Sequence, residues 1–258
     1  TARLDSLRDR HGSVVASTLN SPRYNFTVWI AGLRFDETDD YIDPRRGLRL
    51  EPSLWRSPRQ GSGPDFYFTD VSATAYLPVG RRSTWAFNYF RSDAHVLNKG
   101  LTDPAAIGRE QGLDCAAISD EARHAECLRY LDSIAAQNTH GTASGLGGFR
   151  RLRAYPENRY KGAHAEFFGT ELRWNLTDEV RPFNIYIMKD IRTAVQIAFF
   201  YEIGSVADSP EALWVIARQS YGAGLRVVTA SGLVYRFDLS GGEEGFQPSV
   251  FFQYPWEL

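Results

Sequence analysis

From Trp29 onward most of this chain alternates between large apolar and polar side chains. A β-strand turns that period of two into two chemically different faces. The stretch Ala165 to Leu176 carries the pattern most fully: Phe168, Thr170, Leu172, Trp174 and Leu176 share one face, and Glu171, Arg173 and Asn175 the other. It follows a cationic, aromatic run, Phe149 to Gly162, reading FRRLRAYPENRYKG. A loop this basic beside a strand with a carboxylate on its polar face suggests a specific ion pair.

Reading for the same period gives nine or ten strand candidates. Leu48, Leu50, Pro52 and Leu54 oppose Arg49, Glu51 and Ser53 after a turn-rich Asp39 to Gly47 segment. Val71 to Leu77, Trp85 to Tyr89, Val195 to Ile203, Tyr221 to Val227 and Leu233 to Leu239 follow, and Val250, Phe252, Tyr254, Trp256 and Leu258 bring one apolar row to the last residue. The polar faces carry Arg34, Arg49, Glu51, Asp70, Glu171, Arg173, Glu202, Arg226, Arg236 and Asp238. Two all-β architectures share this pattern. A soluble sandwich or lipocalin-like barrel would turn the charges outward; a membrane barrel would turn them into a water-filled lumen and show lipid a band rimmed by Trp and Tyr.

A net charge of −2 excludes a strongly basic, nucleic-acid-coating protein. No segment approaches the roughly 20 apolar residues of a membrane helix, a criterion blind to barrels. Thr1 to Asn20 is charged and polar, unlike a signal peptide, which reads as a mature form or a fragment. Between Asn98 and Gly148 the alternation stops, and Ser119 to Gln137 has helical spacing through Ala122, Ala125, Leu128, Leu131 and Ala135. Cys115 and Cys127 fall here. A loop disulfide in an oxidising compartment is expected; a zinc site would need more ligands than His124 adds, and free thiols are the alternative.

No Gly-x-Ser-x-Gly elbow, His-Glu-x-x-His pair or phosphate-binding loop occurs, and His11, His95, His124, His140 and His164 are scattered. Glu171 and Glu202 form a glycosidase-like pair on paper, but a structural ion pair explains them more simply.

Several motifs resemble the bacterial surface antigen superfamily, the BamA- and TamA-like outer-membrane barrels that assemble or translocate proteins. Leu152-Arg153-Ala154-Tyr155, extended by Pro156, Asn158 and Arg159, is similar to that family's hydrophobic-Arg-Gly-aromatic motif on a loop folded back into the lumen. The runs FFYEIG at 199–204, DPRRG at 43–47, GAGLR at 222–226 and Leu233 to Leu239 resemble family strand segments. The resemblance covers roughly residues 24 to 258. Ala154 departs from the usual Gly, and Leu258 from the usual terminal aromatic, though Phe252, Tyr254 and Trp256 keep the alternation of a C-terminal assembly signal. Nothing resembles the family's repeated periplasmic modules.

The resemblance implies an antiparallel transmembrane β-barrel domain over 1–258, or the C-terminal part of one of about sixteen strands. It implies a long extracellular loop region, 98–162, with a short helix and an inward-folded tip. Arg153 would pair with Glu171 and Glu202, and Gln247 to Leu258 would form the seam strand. The implied protein lies in the outer membrane of a Gram-negative bacterium and inserts or translocates polypeptides without covalent chemistry, as no enzyme and with no cofactor or metal. Its partners would be membrane lipid, client outer-membrane proteins or a passenger polypeptide, and periplasmic or membrane accessory subunits, with no nucleic acid. A secretion anchor for a fused passenger enzyme, or a scaffold subunit of an outer-membrane complex, are the alternatives.

Overall fold

The computed structural model describes residues 27–177, 183–191, 194–228 and 233–256. The alternating stretches become β1 (Trp29–Gly32), β2 (Phe35–Asp36), β3 (Gly47–Ser57), β4 (Asp65–Val79) and β5 (Ser83–Asn98). After two helices come β6 (His164–Asn175), β7 (Phe183–Ile185), β8 (Met188–Ile191), β9 (Ala194–Ala207), β10 (Arg218–Val228), β11 (Val234–Gly242) and β12 (Gly245–Phe251). Ten strands form one largely antiparallel sheet in the order β1-β3-β4-β5-β6-β9-β10-β11-β12, with β2 on β3, while β7 and β8 make a separate hairpin. Among the described residues β1 and β12 do not pair with each other. Over these residues the sheet is open, which differs from the closed barrel expected from the sequence but not from its alternative, a part of a larger one.

Register follows the pattern read from the sequence. Trp85 pairs with Leu172 and Ala86 with Glu171 across β5 and β6, so apolar meets apolar on one face and the carboxylate falls on the other. Of the ten charged residues that alternation assigns to polar faces, nine are at most 4% exposed, and Arg34 is open. The exposed face instead carries Val71, Leu77, Trp85, Phe87, Phe168, Leu172, Trp174, Phe199, Leu225, Phe237, Leu239 and Val250. A soluble sandwich has the reverse arrangement, apolar rows buried and charges in water.

By compactness the chain divides into two units. Of the described residues, one unit comprises those within Ile30–Leu54, Phe68–Asp93 and Thr142–Leu258, the other Trp55–Tyr67 and Ala94–Gly141 with Thr27–Trp29. This cuts the expected 98–162 loop region in two. In the first unit the buried apolar side chains Tyr76, Phe90, Leu152, Ala154, Tyr155, Phe167 and Trp256 cluster together, so loop residues pack against inward residues of β4, β5 and β6.

The second unit holds two helices, α1 (Pro104–Gln111) and α2 (Glu121–His140). Asp103 caps α1 by accepting from the Ala105 and Ala106 amides, Pro104 occupies its first turn, and Gly112 ends it at φ 68°. At eight residues with a central Gly108, α1 is too short to show a helical period, which is why the sequence reading found only α2. Asp120 caps α2 through the Arg123 amide. Cys115 and Cys127 form a disulfide with Cα atoms 5.6 Å apart, and both pack with Ile107 and Leu131 in a small core.

The C-terminal row behaves differently from its expected course to the last residue. β12 stops at Phe251. Val250 and Phe252 stay exposed, whereas Tyr254 and Trp256 are buried, and Trp256 turns at φ 68°. The physical reason is polar: the Tyr254 hydroxyl and the Trp256 indole N–H both find buried partners inside, which an outward position on this apolar face would not offer. Leu258, the last member of the expected row, lies outside the described residues.

Candidate functional site

The segment Leu146 to Tyr160 closes on itself before it meets the sheet. Leu146 and Tyr160 exchange backbone hydrogen bonds of 2.8 and 2.9 Å. Gly147 and Gly148 sit at φ 108° and 110°, and a Cβ on Gly147 would lie 2.4 Å from the Pro156 carbonyl oxygen, so this turn requires glycine. Leu152 takes φ 52°, and the Tyr155 amide bonds back to its carbonyl at 3.0 Å. The resulting tight tip buries Arg151, Leu152, Arg153, Ala154 and Tyr155 and leaves Pro156, Glu157, Asn158 and Arg159 exposed.

Arg153 is the centre of the tip. Its Nε donates to Glu202 Oε1 at 2.8 Å and its backbone amide to Oε2 of the same carboxylate at 2.9 Å. Its Nη1 donates to Glu171 Oε2 at 2.8 Å and to Asp238 Oδ2 at 3.1 Å. The guanidinium carbon lies 3.5 Å from the Phe200 ring centroid, so the fork is held in plane by a π face as well as by three carboxylates. Glu171 stands on β6, Glu202 on β9 and Asp238 on β11, so one loop residue spans most of a four-strand width.

The carboxylates are shared onward. Arg226 donates to Glu171 Oε2 at 3.0 Å and to Asp238 Oδ1, and Arg173 donates its Nε to Glu171 Oε1 at 2.9 Å. Arg236 lies 3.3 Å from Asp238. Charges removed from water this completely persist only when each is paired. All four oxygens of Glu171 and Glu202 accept from named donors, with Trp256 Nε1 adding a 3.3 Å bond to Glu202.

Two buried arginines of the tip illustrate how placement shifts a pKa in opposite directions. Burial would lower the Arg153 guanidinium, but Glu202, Glu171 and Asp238 outweigh it and hold the pKa above its ordinary value. Arg151 lies 3.5 Å from the Phe90 ring, and burial pushes it down to about 10 despite the field of Asp70.

No protein-family model matches the chain, and no curated protein matches it.

The remaining sequence-derived residues separate into groups. Ala154 sits where the resembled motif has Gly, yet it needs no positive φ. Its methyl is accommodated from the opposite side, because a Cβ on Gly242 would come within 2.8 Å of it. The Ala154 amide donates to Ser220 on β10 at 3.0 Å. The Tyr155 hydroxyl donates to the Gln219 carbonyl at 3.0 Å and accepts from the Glu243 amide at 3.1 Å, tying the tip to the β11–β12 turn. Arg159 pairs with Glu244 at the same turn, at 2.8 Å.

Tyr254 donates its hydroxyl to Asp43 at 2.7 Å, Gln196 donates to the same carboxylate at 3.1 Å, and the Arg173 guanidinium lies 3.8 Å from the Tyr254 ring centroid. Trp256 fills the space over Gly169, where a Cβ would approach its ring to 2.8 Å. Phe252 joins neither set: it stays outside, 5.5 Å from the Tyr235 ring. Cys115 and Cys127 belong to the other unit. Arg226, Asp238, Phe200 and Ser220 were absent from the expected site; the signal available was the pair of charges two residues apart at Arg236 and Asp238, beside Arg226 on the neighbouring strand.

Proposed function

We propose that this chain is the membrane-embedded, C-terminal strand portion of an outer-membrane β-barrel of the protein assembly or translocation type. The observation that carries the reading is the inversion of polarity: a continuous sheet with charges buried on one face and large apolar side chains exposed on the other. Water penalises that arrangement, while lipid favours it. The exposed rows from Leu233 to Leu239 and from Phe168 to Leu176 span seven and nine residues, which at about 3.4 Å per residue and a tilt of about 40° is a height of roughly 18–23 Å, close to the ~25 Å apolar band of such barrels. Polar atoms on that face are paired locally: Trp85 Nε1 donates to Thr170 at 2.7 Å and Tyr201 to Gln219 at 2.9 Å.

The Arg153 tip supports the assignment to this type of barrel, since a loop pinned to Glu171 and Glu202 matches what the resemblance implies, with Asp238 as a further partner. Among the described residues β1 and β12 are the end strands of the sheet, and further strands, from a longer chain or from a client, would add there by hydrogen bonding. The buried Tyr254 and Trp256 hold the chain after β12 inward, which shortens the edge that a client strand would meet. The disulfide unit would face an oxidising compartment.

The test is reconstitution of the protein that carries this chain into liposomes with an unfolded outer-membrane protein as client. Faster client insertion than into protein-free liposomes is expected, and a larger effect when Trp256→Ala frees the C-terminal segment. Equal rates with and without the protein would overturn the assembly reading.

A further inference from the structure

On the outward face of β5 and β6 the side chains change character at one level of the register. Tyr89 pairs with Phe168, the next outward pair is Arg91 with Glu166, and the one beyond is Asp93 with His164. Arg91 reaches Glu166 at 3.2 Å and the His164 ring lies within hydrogen-bond distance of Asp93 at 2.7 Å, so an apolar row gives way to charged and polar pairs within two residues. On the adjoining β9, Glu166 pairs with Ser205 and Phe168 with Ile203. Glu166 and Ser205 are therefore neighbouring polar residues at the rim of the apolar face.

The β9–β10 connection is fastened to these two residues. Ser205 Oγ accepts from the Trp214 amide at 2.9 Å and donates to the Ile216 carbonyl at 2.8 Å. Glu166 accepts from the Trp214 indole N–H at 2.7 Å, from the Tyr89 hydroxyl at 3.0 Å and from Arg91. Trp214 takes φ 68°, and its ring lies 5.8 Å from Phe168, one step onto the apolar side of the rim. The clamp presents the two residues that follow outward: Val215 is 77% and Ile216 60% exposed. A connection between two strands ordinarily exposes polar residues; here an indole, a valine and an isoleucine are held at the edge of an apolar face by the hydrogen bonds of Ser205 and Glu166.

We propose that Trp214, Val215 and Ile216 form an interfacial anchor that enters the acyl region of the bilayer at this rim. The occupant is lipid, because the patch is continuous through Phe168 with the exposed apolar face, and because Trp214 has one polar end bonded at the ionic level and a ring on the apolar side, the placement expected of an interfacial Trp. Ser205 and Glu166 act as positioning residues. The anchor fixes how deep the β9–β10 edge of the sheet sits in the membrane.

This rests on the membrane reading above, and the experiment separates the two. The described cysteines are joined in the disulfide, so spin labels at Val215→Cys, Leu239→Cys and Glu243→Cys in the reconstituted protein report oxygen and nickel-chelate accessibility at the rim, mid-face and β11–β12 turn. The expected result is that the label at 215 resembles that at 239, with high oxygen and low nickel accessibility, and differs from the label at 243. Nickel accessibility at 215 equal to that at 243, with 239 still in lipid, overturns the anchor alone. A label at 215 shielded from both reagents means a protein covers it and also overturns the anchor. Nickel access at 239 overturns the membrane reading and the anchor together. Ser205→Ala should raise nickel accessibility at 215; an unchanged value overturns the role of the clamp.

Discussion

Replacing Arg153 with Ala should destabilise the fold through one carboxylate more than through the others. Glu171 would retain Arg226 and Arg173, and Asp238 would retain Arg226. Glu202 would keep only the backbone amide at 153 and the long bond from Trp256 among its named donors. Removing one partner of a buried pair typically costs about 3–5 kcal/mol, most of it the penalty of the charge left behind. Neutralising that charge should recover much of the loss, because removing both partners is far closer to neutral than removing one. Arg153→Met with Glu202→Gln is therefore expected to lose about 2 kcal/mol less than Arg153→Met alone. The assay is the midpoint of guanidinium unfolding in detergent or lipid, read by intrinsic fluorescence, with heat-modifiable migration as a second readout. Additive losses in the double variant would refute the reasoning, since they would mean that Glu202 is not the stranded group.

Gly224→Ala should disturb the same network from its side, because a Cβ there would meet Asp238 Oδ1 at 2.0 Å and Arg226 Nη1 at 2.4 Å; a loss of about 1–3 kcal/mol in the same unfolding midpoint is expected. Tyr254→Phe removes the hydroxyl donor to Asp43 and should cost about 1–3 kcal/mol, with greater protease access to the C-terminal segment as the independent check. Reduction of the Cys115–Cys127 disulfide, which closes a short loop, should lower the thermal midpoint of the helical far-ultraviolet signal by the equivalent of about 3 kcal/mol, while the β signal keeps its midpoint.

The strands and their faces were legible because a period of two is imposed by backbone geometry and does not depend on what the face meets. Glu171, Arg173, Glu202, Arg226, Arg236 and Asp238 could thus be set on one side from spacing alone. Which side would be covered was not legible, since a charged face in water and a covered one alternate identically; exposure of Phe199 and Leu239 beside burial of Glu171 and Glu202 shows that the charged face is the covered one. Arg153 could be singled out by its basic, aromatic loop, but its third carboxylate could not, because Asp238 lies 85 residues away and meets it only through the neighbouring order of β9, β10 and β11. The course after Phe251 was misread for a related reason. Phe252, Tyr254 and Trp256 share one parity, and parity carries no information once the chain leaves the sheet to satisfy a hydroxyl and an indole.

The central claim is that the apolar face meets lipid while the Arg153 network and Trp256 are enclosed behind it. Collisional quenching by brominated lipid tests this in the reconstituted protein, using variants that retain Trp85 and Trp174 or Trp256 with the other tryptophans changed to Phe. Strong quenching of Trp85 and Trp174 with little quenching of Trp256 is expected. Quenching of Trp85 and Trp174 by aqueous acrylamide and not by the lipid would contradict it.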